Sequence, residues 1–129
     1  RNGNFKKHIN FFKKLSDYFI VPNIYENVKT NFLAYPIILK TKKFKRKDLQ
    51  IFLENNNIQT RPIFSGNILR HPAFTNLISN KNKLNQFKNA DYIMKNGILI
   101  GCHQGLSVKD LKLIHNKIKN FIKNKRARN

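Results

Sequence analysis

The chain has 129 residues, of which 40% are hydrophobic and 12% aromatic. It is long enough for one packed domain and too apolar for a disordered segment. No uncharged apolar run approaches the ~20 residues that a membrane helix needs. Cys102 is the single cysteine, which excludes an internal disulfide, and we recognise no signal peptide. We therefore expect a cytoplasmic location.

Charge is the strongest compositional signal, because Lys and Arg total 26 against 6 acidic residues and give a formal net charge of +20. Such a charge favours an anionic partner, so a small basic nucleic-acid-binding domain is one hypothesis. The basic residues are, however, 20 Lys and 6 Arg, beside 20 Asn and 16 Ile. Codons of an A/T-rich genome produce that composition, and arginine, which forms the forks that bind bases and phosphates, is scarce. Codon bias therefore explains the charge better than nucleic-acid binding does.

The first predicted element is a helix that ends before Pro22. Apolar residues recur at spacings of four, three, three and four, as on one face of a helix: Phe5, Ile9, Phe12, Leu15 and Phe19. Proline ends this pattern because it disfavours helical geometry in the residue before it. The sequence starts without Met and enters the helix without a cap. We therefore expect it to be part of a longer protein.

Three short segments predict strands. Residues 31–39, NFLAYPIIL, form a near-continuous apolar run that is typical of a strand buried on both faces, with Pro36 at an edge or bulge. Residues 58–64, IQTRPIF, again carry a proline, Pro62, which is typical of an edge strand. The third strand, 98–102, follows a helix stop at Asn-Gly.

Helical patterns separate these strands. Short helices are predicted over 48–55 and 90–94, and residues 68–88 predict a long ordered loop of the kind that often carries function. Ser107 caps the last helix, and Asp110 completes a capping box. The order of elements predicts an α+β fold, a small α/β layer with helices packed on one side of a three-stranded sheet.

Few residues carry obvious chemistry. The four histidines and Cys102 show no zinc-ligand spacing, and there are no paired carboxylates or glycine-rich phosphate loop. Cys102 and His103 are adjacent, so in an extended chain their side chains point to opposite faces and do not form a nucleophile–base pair. Cys102 is predicted to be a core residue, and His8 and His115 to be ordinary surface or boundary residues. The chain therefore supplies at most part of an active site.

Two features predict contact with a ligand. Arg61 lies in a predicted strand between Thr60 and Pro62, where a charge must be paired or reach a cleft. Its partner is either an anionic ligand group, which suits the guanidinium fork, or one of the six acidic residues. The loop 101–105 joins a hydrophobic strand to a capped helix and places His103 near its mouth.

The segments IQTRPIFSGN (58–67) and NADYIMKNGILIGCHQ (89–104) together resemble the C-terminal domain of the DegT/StrS family of sugar-nucleotide aminotransferases. The resemblance is nearest to the 4-keto-6-deoxy-sugar 3-dehydratase branch, of ColD and RfbH type. It implies that residues 1–129 are the single small C-terminal domain of an aspartate-aminotransferase-like fold, with 1–22 as a connecting helix and 31–122 as its core. It also implies a homodimer and the cofactor pyridoxal phosphate, bound by a large domain that this chain lacks.

By motif position, the resemblance places six residues beside the substrate cleft: Arg61, Ser65, Gly66, Asn67, His103 and Gln104. It implies no catalytic residue and no metal ligand in the chain, which alone is expected to be inactive. The implied substrate is a nucleotide-linked 4-keto-6-deoxyhexose for lipopolysaccharide O-antigen synthesis. Dehydration and transamination both stay open, because the deciding Lys or His lies in the missing domain. The alternatives are the basic nucleic-acid-binding domain and a non-catalytic remnant of a split gene.

Overall fold

The computed structural model describes residues 1–77 and 86–127. These residues form four α-helices and four β-strands, in the order α1 (Asn2–Lys13), β1 (Phe19–Ile20), β2 (Tyr35–Leu39), α2 (Arg46–Glu54), β3 (Thr60–Pro62), α3 (Lys88–Asn96), β4 (Gly97–Ile100) and α4 (Val108–Arg126). Two 3-10 helices, Ile68–Arg70 and Pro72–Leu77, lie within the predicted loop 68–88. The part of that loop from 78 to 85 lies outside the described residues. Within the described ranges, no helix is long and apolar enough to cross a membrane.

The four strands form one antiparallel sheet in the order β1-β2-β4-β3, which confirms an α+β fold. The prediction of a three-stranded sheet is wrong, because β1 lies where the helical pattern was extended to Phe19. Helix α1 ends at Lys13, and the turn that follows brings Phe19 into a strand pair opposite Leu39. Phe19 is buried in either geometry, so the spacing of apolar residues did not distinguish helix from strand here.

The core lies on one face of the sheet, against α1, α2 and α4. Phe12 of α1 stacks on Tyr35 of β2, with ring centroids 5.1 Å apart and planes 14° apart. Leu49 and Leu53 of α2 and Ile118 of α4 are completely buried in the same cluster. Full burial of each large apolar side chain contributes about 2 kcal/mol, so these helices stabilise the sheet from one side.

The other face of the sheet, here called the open face, consists of Ile20, Pro36, Ile38, Arg61 and Leu99, which the strand register places on the same side. Ile20 is 42% exposed, and Pro36, Ile38 and Leu99 are half-buried. The prediction that 31–39 is buried on both faces is therefore wrong. Pro36 lies inside β2, where it is tolerated because β1 stops opposite Ile38 and leaves that edge of β2 unpaired.

The short-range predictions for α2 and α4 are confirmed. Helix α2 buries Leu49 and Leu53 as its apolar face. At α4 the Ser107 hydroxyl accepts a hydrogen bond from the Asp110 N–H at 3.2 Å. The Asp110 carboxylate accepts from the Ser107 N–H at 2.8 Å and so completes the capping box.

Candidate functional site

Strand β4 sets the positions of the predicted cleft residues. In the antiparallel pair of β3 and β4, Thr60 lies opposite Ile100 and Pro62 lies opposite Ile98. The loop 101–105 therefore leaves the end of β4 next to Thr60, and the segment 63–67 leaves the other end. A strand of four residues spans about 10 Å. The structure thus separates Ser65-Gly66-Asn67 from His103-Gln104 by the length of β4.

Arg61 lies between these two groups. It pairs with Leu99 in the sheet, and its side chain is exposed on the open face. The ion pairs of the described residues are Arg70–Asp91 and Lys125–Asp48, so the guanidinium of Arg61 forms none there. Two hydrogen bonds from Thr60 lower the pKa of the neighbouring Glu54, and the charge of Arg61 lowers it further. Arg61 thus forms no ion pair in the described part of the chain, and the carboxylate on which its charge acts is already bound by Thr60.

The segment 63–67 turns through two residues with left-handed backbone geometry. Phe64 has a φ of 43° and is 76% exposed, and Gly66 has a φ of 60°. A Cβ on Gly66 would lie 2.5 Å from the Cβ of Met94, so only glycine fits against α3. Ser65 is exposed, and its carbonyl accepts a hydrogen bond from the Nε2 of His71 at 2.7 Å. The turn predicted at Ser65-Gly66-Asn67 is confirmed.

Asn67 is only 3% exposed, and its side chain bonds within the chain. Its Oδ1 accepts from the Leu69 N–H at 3.1 Å, and its Nδ2 donates to Asp91 Oδ1 at 2.7 Å. Arg70 donates to the same carboxylate from Nε at 2.9 Å and from Nη2 at 2.6 Å. Arg70 first, and Asn67 second, lower the pKa of Asp91 to about 2. Asn67 thus fixes this segment to the start of α3.

The loop 101–105 shows two exposed polar side chains, His103 and Gln104, after a buried anchor. The anchor is Cys102, which is 0% exposed and donates its thiol to the carbonyl of Phe32 at 3.7 Å. Burial raises the pKa of this thiol. The prediction that Cys102 is a core residue is confirmed.

Helix α1 and its N-cap residue hold this loop through the side chains at positions 1, 4 and 8, which lie on one side of the helix. Arg1 Nε donates to Gln104 Oε1 at 3.3 Å, and Asn4 Nδ2 donates to the carbonyl of His103 at 2.8 Å. His8 Nε2 lies 3.0 Å from the carbonyl of Gly101. No local pattern predicted these three contacts, because the partners in each lie about 100 residues apart along the chain. The available signal was a polar stripe at helical spacing beside the apolar one.

His8 is also paired with His115 of α4, with 3.0 Å between His8 Nδ1 and His115 Nε2. The prediction that His8 is a surface or boundary residue is wrong, because it is 0% exposed. Burial lowers the pKa of His8. Burial first, then the charges of His8 and Lys119, lower the pKa of His115 to about 4. Both rings are therefore neutral at pH 7.

The described residues line more than one concave surface. One of about 230 Å³ lies beside the turn at 65–66 and is lined by Pro62, Phe64 and Met94 and by Arg46. The guanidinium of Arg46 already donates to the carbonyls of Met94 at 3.3 Å and Gly97 at 3.4 Å. A larger groove, of about 510 Å³, lies between α1 and the connector before β2, where none of the predicted cleft residues is found.

Residues 4–119 match the model of the DegT/DnrJ/EryC1/StrS aminotransferase family. The chain is 29% identical over 122 residues to the lipopolysaccharide biosynthesis protein RfbH of Salmonella typhimurium, covering 94% of the chain and 28% of that protein. It is 32% identical over 79 residues to the dTDP-4-dehydro-2,6-dideoxy-D-glucose 3-dehydratase of Saccharopolyspora spinosa, covering 61% of the chain and 17% of that enzyme. The chain thus spans less than a third of the length of these relatives.

Solved structures confirm the fold. The aminotransferase from Psychrobacter cryohalolentis superposes with a TM-score of 0.77 at 14% identity, over 97% of this chain and 34% of that one. The E. coli GDP-4-keto-6-deoxy-D-mannose-3-dehydratase with bound hydrated pyridoxal phosphate superposes with a TM-score of 0.66 at 24% identity, over 88% of this chain and 29% of that one.

Pyridoxal phosphate is the cofactor of the family, but the described residues do not fit it. A site for this cofactor needs a lysine or its substitute at the aldehyde and a partner for the pyridine nitrogen. Of the carboxylates, Asp48, Glu54, Asp91 and Asp110 already accept hydrogen bonds within the chain. The concave surface nearest the predicted cleft residues contains no carboxylate and no lysine. The chain therefore offers no complete cradle for the cofactor in its described part.

Proposed function

Because the chain belongs to the DegT/DnrJ/EryC1/StrS aminotransferase family, we propose that it is the small C-terminal domain of a longer enzyme that uses pyridoxal phosphate. The enzyme acts on a nucleotide-linked 4-keto-6-deoxyhexose and removes its 3-hydroxyl group, in the synthesis of a lipopolysaccharide sugar. It is a cytoplasmic homodimer, and its cofactor is held outside residues 1–129. The domain supplies one wall of the substrate cleft.

The observation that carries this proposal is the exposed arginine on the open face. Arg61 has no ion-pair partner within the described ranges, although it lies in strand β3, opposite Leu99. A guanidinium binds a phosphate through two parallel hydrogen bonds, and the diphosphate of a sugar nucleotide is such a group. The net charge of +20 attracts the same anion at longer range.

The other cleft residues have two kinds of role in this proposal. Ser65, His103 and Gln104 are exposed and contact the substrate or the cofactor at the two ends of β4. Gly66 and Asn67 shape the turn that presents Ser65, because one packs on Met94 and the other binds Asp91.

Dehydration is favoured over transamination by the relatives. One curated relative is a 3-dehydratase, and another is a lipopolysaccharide biosynthesis protein. To test this, the complete reading frame that contains residues 1–129 is expressed, loaded with pyridoxal phosphate and incubated with glutamate and nucleotide-linked 4-keto-6-deoxyhexoses. Oxidation of glutamate to 2-oxoglutarate supplies either the amino group or the two electrons that removal of the 3-hydroxyl needs. Mass spectrometry should detect a sugar that has lost one oxygen atom and kept its keto group. Replacement of the keto oxygen by an amino group would indicate transamination, and no turnover with any such nucleotide would refute the proposal.

Replacement of Arg61 tests the anion contact. We expect Arg61→Gln to raise KM for the sugar nucleotide by about tenfold or more, because a hydrogen bond to a charged group contributes ~1.5–3 kcal/mol. Lys47→Gln removes the same charge from an exposed position of α2 and should leave KM nearly unchanged. An equal effect of both variants would show that Arg61 acts only through net charge.

A further inference from the structure

Beyond this function, we propose that His8 and His115 are a positioning pair. Their hydrogen bonds hold the backbone of the loop 101–105, which continues to Leu106, in one conformation. Together with Arg1 and Asn4, the pair fixes the backbone that presents His103 and Gln104. The statement that His103 and Gln104 face a substrate rests on the proposed function. The statement that the histidine pair holds the loop is independent of that function.

A continuous chain of hydrogen bonds carries the inference. It runs from His115 of α4 to His8 of α1 and on to the carbonyl of Gly101, with 3.0 Å at each step. Phe11 stacks on the His115 ring, with centroids 3.9 Å apart and planes 4° apart. The His8 ring packs 5.0 Å from Tyr35. Both imidazoles are thus held by ring contacts as well as by their nitrogens.

The carbonyl of Gly101 fixes the tautomers of the pair. A carbonyl only accepts, so Nε2 of His8 must carry the proton and Nδ1 must accept from His115 Nε2. The chain of donors therefore points from α4 through α1 into the loop. Two other titratable groups face the pair, Tyr35 of β2 beside the His8 ring and Lys119 of α4 near His115, and neither forms a hydrogen bond to a ring. No described carboxylate contacts the pair to charge it.

The same side of α1 continues the support along the loop. Asn4 Nδ2 donates to the carbonyls of His103 at 2.8 Å and Leu106 at 3.2 Å. Within the loop itself the backbone bond is that from the Leu106 N–H to the His103 carbonyl, at 3.2 Å. A loop with so few bonds of its own depends on outside donors for a fixed shape. His8 holds its start, and Asn4 holds its middle and end.

Nuclear magnetic resonance on the ¹⁵N-labelled chain tests this inference. His8→Leu removes both hydrogen bonds and keeps an apolar side chain in the core. His8→Gln keeps a nitrogen that can donate to Gly101. We expect backbone order parameters at Gln104 and Gly105 to fall from about 0.85 to below about 0.6 in His8→Leu and to stay near the wild-type value in His8→Gln.

His71→Gln is the matched control, because His71 also holds a loop carbonyl through Nε2, but in the segment 65–71. It should leave Gln104 and Gly105 unchanged. If His8→Leu does not fold, Asn4→Leu tests the same support from a half-buried position and should also loosen the loop. An unchanged loop in the folded Leu variants, or equal loosening by His8→Gln and His8→Leu, would overturn the proposal.

The ring nitrogens give an independent signature. At pH 7 the ¹⁵N shifts of His8 should show a protonated Nε2 and an unprotonated Nδ1, and the opposite tautomer or a charged ring would contradict the assignment. None of these measurements uses substrate or cofactor. Their outcome is therefore independent of the turnover assay that tests the proposed enzyme activity.

Discussion

Gly66 is the residue at which a single methyl group has the largest steric effect. Alanine there would need a φ of 60° and would place its Cβ 2.5 Å from the Cβ of Met94. We expect Gly66→Ala to lower the free energy of unfolding by about 3 kcal/mol, since left-handed geometry and overpacking each cost about 1–3 kcal/mol. Urea denaturation measures the change.

Gly3 is the control for this substitution, because no atom lies within 4 Å of a Cβ placed there in α1. Gly3→Ala should stabilise the chain by up to about 1 kcal/mol through helix propensity. Equal effects of the two substitutions would show that the contact with Met94 is not maintained in solution.

The pair His8–His115 makes stability depend on pH in a defined window. Both pKa values are lowered in the folded state, that of His115 from 6.5 to about 4. The unfolded chain therefore binds more protons in this range, and stability falls as the pH drops from 6.5 towards 4. Above 6.5 the contribution of the pair is fully present.

Urea midpoints at pH 6.5 and pH 5 measure this dependence above the range in which carboxylates titrate. In the double variant His8→Gln/His115→Gln we expect a smaller loss of stability between the two values, because its side chains do not titrate. His71→Gln should keep the wild-type loss. A double variant that loses as much stability as the wild type would contradict this origin.

Among the elements, α4 has a side-chain cap at the residue before its first turn, Ser107. Ser107 and Asp110 satisfy each other's backbone N–H groups. We expect Ser107→Ala to lower the free energy of unfolding by about 1 kcal/mol, which is typical for loss of an N-cap side chain. Ser16→Ala, at an exposed turn, is the control and should change it by less than about 0.5 kcal/mol. Thermal unfolding would show the difference as a lower Tm for Ser107→Ala alone.

Features of α4 that depend on near neighbours were predicted, whereas strand β1 and the burial of His8, which depend on distant partners, were not. The cap, the capping box and the apolar stripe of α4 all lie within the segment itself. Strand β1 is two residues long and exists because it pairs with Ile38 and Leu39, which no local pattern reveals. The burial of His8 has the same cause, since its hydrogen-bond partners are Gly101 and His115.

For the candidate site, the motif predicts six cleft residues, of which Arg61, Ser65, His103 and Gln104 are exposed. It could not reveal that Asn67 is buried against Asp91, because that bond joins the two resembling segments across the fold. Nor could it reveal that β4 separates the two groups of residues. The chemical types of the candidate cleft residues could be read from the sequence, whereas their relative positions are set by the pairing of the strands.

For the molecule as a whole, the net charge of +20 opposes compactness. Like charges repel more strongly in the folded state, and salt screens this repulsion over a Debye length of about 10 Å at 0.1 M. We expect the urea midpoint to rise when the NaCl concentration is increased from about 10 mM to about 500 mM, because the added salt screens this repulsion. The triple variant Lys42→Gln/Lys43→Gln/Lys47→Gln should show a smaller rise. A midpoint that falls with salt would mean that attraction between charges dominates.

The strand order has a consequence for synthesis on the ribosome. Strand β4 is the last strand in the sequence but lies in the sheet between β2 and β3. Until residue 100 has left the exit tunnel, both of these strands expose unpaired backbone edges, which are templates for pairing with other chains. Closure of the sheet is therefore a late, non-local step of the kind that slows folding. A nascent chain of this domain is most exposed to aggregation between the synthesis of β3 and that of β4.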